Sequence, residues 1–269
     1  MRRAGFLTAG AVALLALAAF PALAQPSAKA ALEAASTALA PGGVKSVAGI
    51  QYVVSGTAAT PTPSGPWIET TIPEARITMS YTLPGRRSQN ERIDAAGKSV
   101  KAISAINGKA GWVESAVGVF AAPLPDPEAV ALRTRFIWGS PHGVIWAATL
   151  AAEQNPQAVA LSVKDGKTTL SFVWNGEPTR VVLNRLNLPE AVLVDITDPV
   201  LGKIVGETHY SGYRDWGGGV FYPSVIIQRL GGRIAETLAV SAFVANPPAS
   251  YAIPESLRAQ CGGSAASCR

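Results

Sequence analysis

Along most of the chain apolar and polar residues alternate with a period of two. Clusters of Gly, Pro, Asn and Asp break the alternation at short intervals, the pattern of antiparallel strands joined by tight turns. It is clearest at 158–163 and 168–174, where Asp165-Gly166 supplies a two-residue hairpin turn and Leu170, Phe172 and Trp174 fall on one face. Comparable runs occur at 47–56, 75–83, 87–93, 100–106, 111–115, 180–184 and 191–196. Three more lie between Asp198 and Asn246: 203–213, 220–230 and, beyond Gly231-Gly232, a run whose expected apolar face is Ile234, Leu238, Val240, Ala242 and Val244, with Glu236 the one break. The stretch 58–66, rich in Pro, Thr and Ser, reads as a loop.

Two regions carry the helical period instead. Residues 27–40, rich in Ala and closed by Pro41-Gly42-Gly43, predict a short helix. Near the middle Asp126 is placed to cap a helix with Pro127 in its first turn, and Ser140 to cap a second helix over 141–153 with Val144, Ile145, Ala148 and Ala152 on one side. About ten antiparallel strands with two or three helices make an α+β domain. Strand twist curls a sheet of that size into an open or half β-barrel, and the apolar helices belong on its concave face.

Composition bounds the rest. Of 269 residues 48% are hydrophobic and 15% charged, which suits one sizeable core. Residues 1–24 read as a cleaved signal peptide: Arg2-Arg3, the apolar run 4–20 and the small-residue site Ala22-Leu23-Ala24 before Gln25. An uncleaved anchor is the alternative. The spacing of Phe6 and Leu7 after the arginines favours the general secretory route, and the expected location is periplasmic or secreted. Residues 25–248 then form a single curved-sheet domain and 249–269 a polar tail. The formal charge is +5, of which the leader removes two, with no Lys/Arg block, so nucleic acid is not an expected partner. No transmembrane segment is expected in the mature chain. Cys261 and Cys268 can pair across a Gly/Ser/Ala loop in an oxidising compartment, with two free thiols in the tail as the alternative.

The run DPVLG at 198–202, the Tyr-rich strand with Tyr210 and Tyr213, Asp215 with its Gly cluster, Gln228 and the following GG resemble the leader domain of certain secreted bacterial proteins, in which it precedes a metallo-β-lactamase-fold hydrolase domain. IWGSPHGVIWAA at 137–148 is similar to a segment of the same leader. The resemblance spans about two thirds of the mature chain. Trp146 departs from it, standing where a Lys is expected, and no hydrolase domain follows. At the level of fold the expected domain also looks like the open-barrel lipoprotein-carrier proteins of the bacterial envelope, an analogy of fold alone.

A two-zinc hydrolase needs clustered His and Asp, and the chain has two His, His142 and His209, without neighbouring ligands. Gly97-Lys98-Ser99 and Gly166-Lys167-Thr168 lack the earlier Gly of a phosphate loop and read as turns. No set of acid, base and nucleophile assembles from spacing, so no catalytic residue, metal or cofactor is expected and the chain reads as non-enzymatic. The candidate ligand-binding residues are Trp138, His142, Val144, Ile145 and Trp146 around the interhelix turn, with Tyr210, Tyr213 and Trp216. His142 is either a polar anchor at a pocket mouth or a ring satisfying backbone groups at the turn. Tyr210 and Tyr213, three apart, are expected on opposite faces, so only one points inward. Two functions follow: a periplasmic binding module for a lipid or other apolar molecule held between helices and sheet, or an interaction module acting with a separate enzyme or envelope protein. An open apolar groove of several hundred Å³ would favour the first.

Overall fold

The computed structural model describes residues 27–63, 65–124 and 127–258. The expected signal peptide, Asp126, Cys261 and Cys268 lie outside the described residues. The chain runs α1 (Ala28–Leu39), a 3-10 turn (Val44–Ser46), β1 (Gly49–Thr62), β2 (Gly65–Ser80), β3 (Gly85–Asp94), β4 (Ser99–Asn107), β5 (Ala110–Ala116) and β6 (Val119–Pro123). Then come α2 (Pro127–Gly139), α3 (Pro141–Gln154), β7 (Ala160–Lys164), β8 (Lys167–Trp174), β9 (Glu177–Leu183), β10 (Pro189–Asp198) and β11 (Gly202–Ser211). It ends with β12 (Arg214–Asp215), β13 (Phe221–Tyr222), β14 (Val225–Leu230), β15 (Arg233–Ala245) and α4 (Glu255–Arg258).

Thirteen strands form one open antiparallel sheet in the order β6-β5-β4-β3-β2-β1-β15-β14-β11-β10-β9-β8-β7, and β12 pairs with β13 as a separate two-stranded piece. The fold is therefore more β-rich than the sequence suggests, with thirteen main strands where about ten are expected. The extra strands have local causes. Residues 58–62 are strand, not loop, because the β-branched Thr57, Thr60 and Thr62 pair across β2 with Thr71, Ile68 and Gly65. β6 is a short, exposed edge strand whose alternation is too weak to read. Pro223 divides the expected run 220–230 into β13 and β14, since it has no N–H to offer the ladder.

The apolar face of β15 also differs from expectation. Opposite β14, Gln228 faces Glu236 and Arg229 faces Ile234, so Ala235 is an extra residue; opposite β1, Val53 faces Ala242 and Val54 faces Val240, so Ser241 is another. Each bulge advances the phase by one and turns the flanking side chains over. Leu238, Val240 and Phe243 are buried, whereas Ile234 and Val244 are about half exposed.

Curvature follows from where the helices touch. α2 packs on β3, β4 and β5, α3 packs on β8, and the two helices lie against each other. Seven strands separate β3 from β8 in the sheet order. Laid flat at about 4.8 Å per strand these contacts would be roughly 38 Å apart, so the sheet bends around the helix pair. α1 packs on α3 from the far side. α3 is buried almost all round, from Pro141 to Ala148 without a break, and is a core helix, not the one-sided helix expected.

The main core joins the helices to the concave face, through Ile50, Tyr52, Met79, Leu170, Val181 and Ile226 among others. A smaller cluster covers the opposite face. Along β4, Ile106 belongs to the first and Ala105 to the second, as alternation requires. The stretch expected as a polar tail contributes here: Tyr251, Ile253 and Leu257 pack on Ala105, Ala110 and Trp112. Beneath them Glu114 is held by Arg87 at 2.8 and 2.9 Å, Trp112 Nε1 at 2.9 Å and the Gly118 N–H at 2.9 Å.

Candidate functional site

The joint between α2 and α3 fixes the site. Ser140 caps α3 by accepting from the Gly143 N–H at 3.1 Å and donates its own proton to Ile137 O at 2.7 Å. Its proton being committed, the 2.9 Å contact with Tyr81 has the Tyr81 hydroxyl as donor. A Cβ on Gly143 would stand 2.0 Å from Ile137 O, which is why only Gly closes this turn. On the other side the Tyr210 hydroxyl donates to Gly139 O. One tyrosine from each arm of the sheet thus pins the joint, and burial holds both phenols well above their ordinary pKa, protonated as these bonds require.

Beside the joint an open groove of about 780 Å³ runs between α2, α3 and the β8–β10 arm. α2 offers Val130, Ala131, Thr134, Arg135 and Trp138, one face of a helix; α3 offers Val144, Ala147 and Leu150; the sheet offers Phe172, Trp174, Thr179 and Val194. The lining is mostly apolar. Trp138 and Trp174 meet edge to face at 5.2 Å, and Arg135 Nε contacts Glu177 Oε1 at 2.6 Å, so α2 touches the β8–β9 hairpin at one end of the groove. The other end is formed by the turns carrying Thr82 and Pro84 and carrying Gly108 and Lys109.

Of the eight residues singled out in the sequence, Trp138 and Val144 line this groove. Trp146 is buried against Tyr81, ring centroids 5.6 Å apart, and Ile145 is wholly buried. Trp216 lies under the Arg214 guanidinium at 3.6 Å and donates to Tyr222 O at 2.9 Å. Tyr213 does not oppose Tyr210 as expected: β11 ends at Ser211, so alternation no longer governs it, and its hydroxyl reaches back to Pro189 O at 2.7 Å.

His142 fits neither sequence reading. It is fully buried away from the groove, with its ring near-parallel to Tyr222 and Phe243 at 6.0 and 6.1 Å. Neither ring nitrogen has a partner of hydrogen-bonding geometry. Burial lowers its pKa to about 3, the Leu39 backbone opposing only a little, and the ring is neutral.

Sequence reasoning missed Lys109, Arg135 and Trp174. Trp174 had the clearest signal, since it extends the apolar face of Leu170 and Phe172 to the rim of a hairpin. Among the described residues no group of three or more His, Cys, Asp and Glu is placed to hold a metal, and no helix is long and apolar enough to cross a membrane.

No known family matches the chain, and no curated protein does. Among solved structures, the chain is similar to one described as "putative outer membrane lipoprotein-sorting protein domain from Vibrio parahaemolyticus", with 7% identity and a TM-score of 0.42 over 83% of this chain and 95% of that one. A likeness at that level carries no argument about what the protein does. None of these findings connects the chain with the leader domain of metallo-β-lactamase-fold hydrolases.

Proposed function

We propose that the protein is a non-enzymatic binding module of the bacterial envelope that holds an apolar molecule, a lipid or an acyl chain, in the groove between α2, α3 and the β8–β10 arm. The observation that carries this reading is the groove itself, about 780 Å³ and lined mainly by apolar side chains. It falls within the range of small-molecule sites. Export rests on the leader-like residues 1–24 and is tested separately by sequencing the N-terminus of the secreted form.

The binding test is titration of delipidated protein with a fluorescent fatty-acid probe. Each methylene buried contributes about 0.8 kcal/mol, so affinity rises roughly fourfold per carbon until the groove is full. Ala131 is exposed on α2 and lines the groove, so Ala131→Trp fills it without disturbing the core. This variant keeps the wild-type urea midpoint and loses the probe. Probe binding unaffected by Ala131→Trp, or no binding by wild type, would overturn the proposal.

A further inference from the structure

The groove is not electrically even. Three charged side chains line it: Lys109 at one end, Arg135 and Glu177 at the other. Arg135 and Glu177 contact each other at 2.6 Å and cancel. Lys109 makes no ion pair or hydrogen bond with any described residue, so the end formed by the β2–β3 and β4–β5 turns carries one uncompensated positive charge.

Building on the binding role proposed above, we infer that the ligand is an amphiphile with one negative charge, whose tail lies along Val144, Leu150 and Trp174 and whose anionic head meets Lys109. An apolar trough with a single unpaired ammonium at one mouth is complementary to that chemistry. A neutral amphiphile leaves the ammonium without a partner, and a cationic one is repelled. A carboxylate and a phosphate monoester share this complementarity and are told apart by running both.

The test uses displacement of Nile red from the purified protein by amphiphiles sharing one tail: fatty acid, alkyl phosphate, fatty alcohol and alkyltrimethylammonium. The expected order puts the two anions first, about five- to tenfold tighter than the alcohol at low ionic strength, with the gap narrowing as salt is added and the cation weakest. Lys109→Glu, at an exposed turn that leaves circular dichroism unchanged, reverses the order of anion and cation. Equal affinity across the head groups, or an order indifferent to Lys109→Glu, would overturn the anionic assignment while leaving the apolar site in place. Failure of all four to displace the dye, with the dye itself unbound, would instead remove the binding function on which the inference rests.

Discussion

His142 makes the energetics of the core measurable through pH. In the unfolded chain an imidazole takes up its proton near pH 6.5, whereas in the folded protein burial holds the His142 pKa at about 3. The unfolded state therefore binds more protons throughout that interval, and stability falls as pH drops from 6.5 towards 3. At about 1.4 kcal/mol per pH unit, His142 alone removes roughly 2 kcal/mol between pH 6.5 and 5. His142→Leu eliminates the titration at similar volume. It loses the stacking on Tyr222 and Phe243 but also the cost of burying two unpartnered nitrogens, so at pH 7 the variant lies within about 1–2 kcal/mol of wild type. Urea unfolding of both proteins at pH 7, 6 and 5 is the assay. The difference between the two stabilities is the quantity to follow, because all other titrating groups cancel in it, and it shifts in favour of the variant by roughly 2 kcal/mol on going to pH 5. Proton NMR offers a check, since the chain has only two His: one imidazole signal stays in its neutral position to below pH 4. Parallel stability curves, or the absence of an imidazole signal that stays neutral to below pH 4, would refute the argument that this ring is sealed and neutral.

Further outcomes follow from other contacts. Burial alone would raise the Glu114 pKa, but hydrogen bonds from Arg87, the Gly118 N–H and Trp112 outweigh it and leave it lowered, so its contribution is present at neutral pH and is lost as pH falls through the folded value. Glu114→Gln leaves Arg87 without its carboxylate and costs about 3–5 kcal/mol at pH 7 in urea unfolding. Ser140→Ala removes the cap of α3 and costs about 1–2 kcal/mol; Gly143→Ala, with a Cβ 2.0 Å from Ile137 O, costs about 3 kcal/mol or more, and calorimetry separates the two. Ala131→Trp abolishes fatty-acid binding at an unchanged urea midpoint.

Local chemistry was legible in the sequence where neighbours in the chain decide it. Ser140-Pro141 correctly announces a helix start, and the two-residue turns sit where expected: Asp165 and Gly166 have φ of 52° and 73°, Gly231 and Gly232 of 56° and 82°. An open antiparallel sheet with a few helices was also readable from alternation and spacing. The phase of β15 was not, because a bulge is a property of two strands and neither sequence shows it alone. The groove was half visible. Trp138 and Val144 flank the interhelix turn that the sequence marks, whereas Lys109 and Trp174 reach the same space through pairing of the strands that carry them. His142 drew attention as a polar residue among tryptophans, but no local pattern says that the α1 C-terminus, Tyr222 and Phe243 seal it off.

The register of β1 against β15 sets the order in which the molecule can be completed. Ala48 bonds Asn246 across 198 positions of sequence, while nearly every other strand pairs with a near neighbour in the chain. The strands before α2 and those after α3 are thus two meanders of low contact order that can each zip early, and their union waits for β15. Until residues 233–245 are in place, β1 presents a bare hydrogen-bonding edge from Ile50 to Ala58, which is a site for pairing with another chain. Closing the sheet is therefore the last step open to this topology, and protection of that edge until β15 arrives is a requirement of its folding.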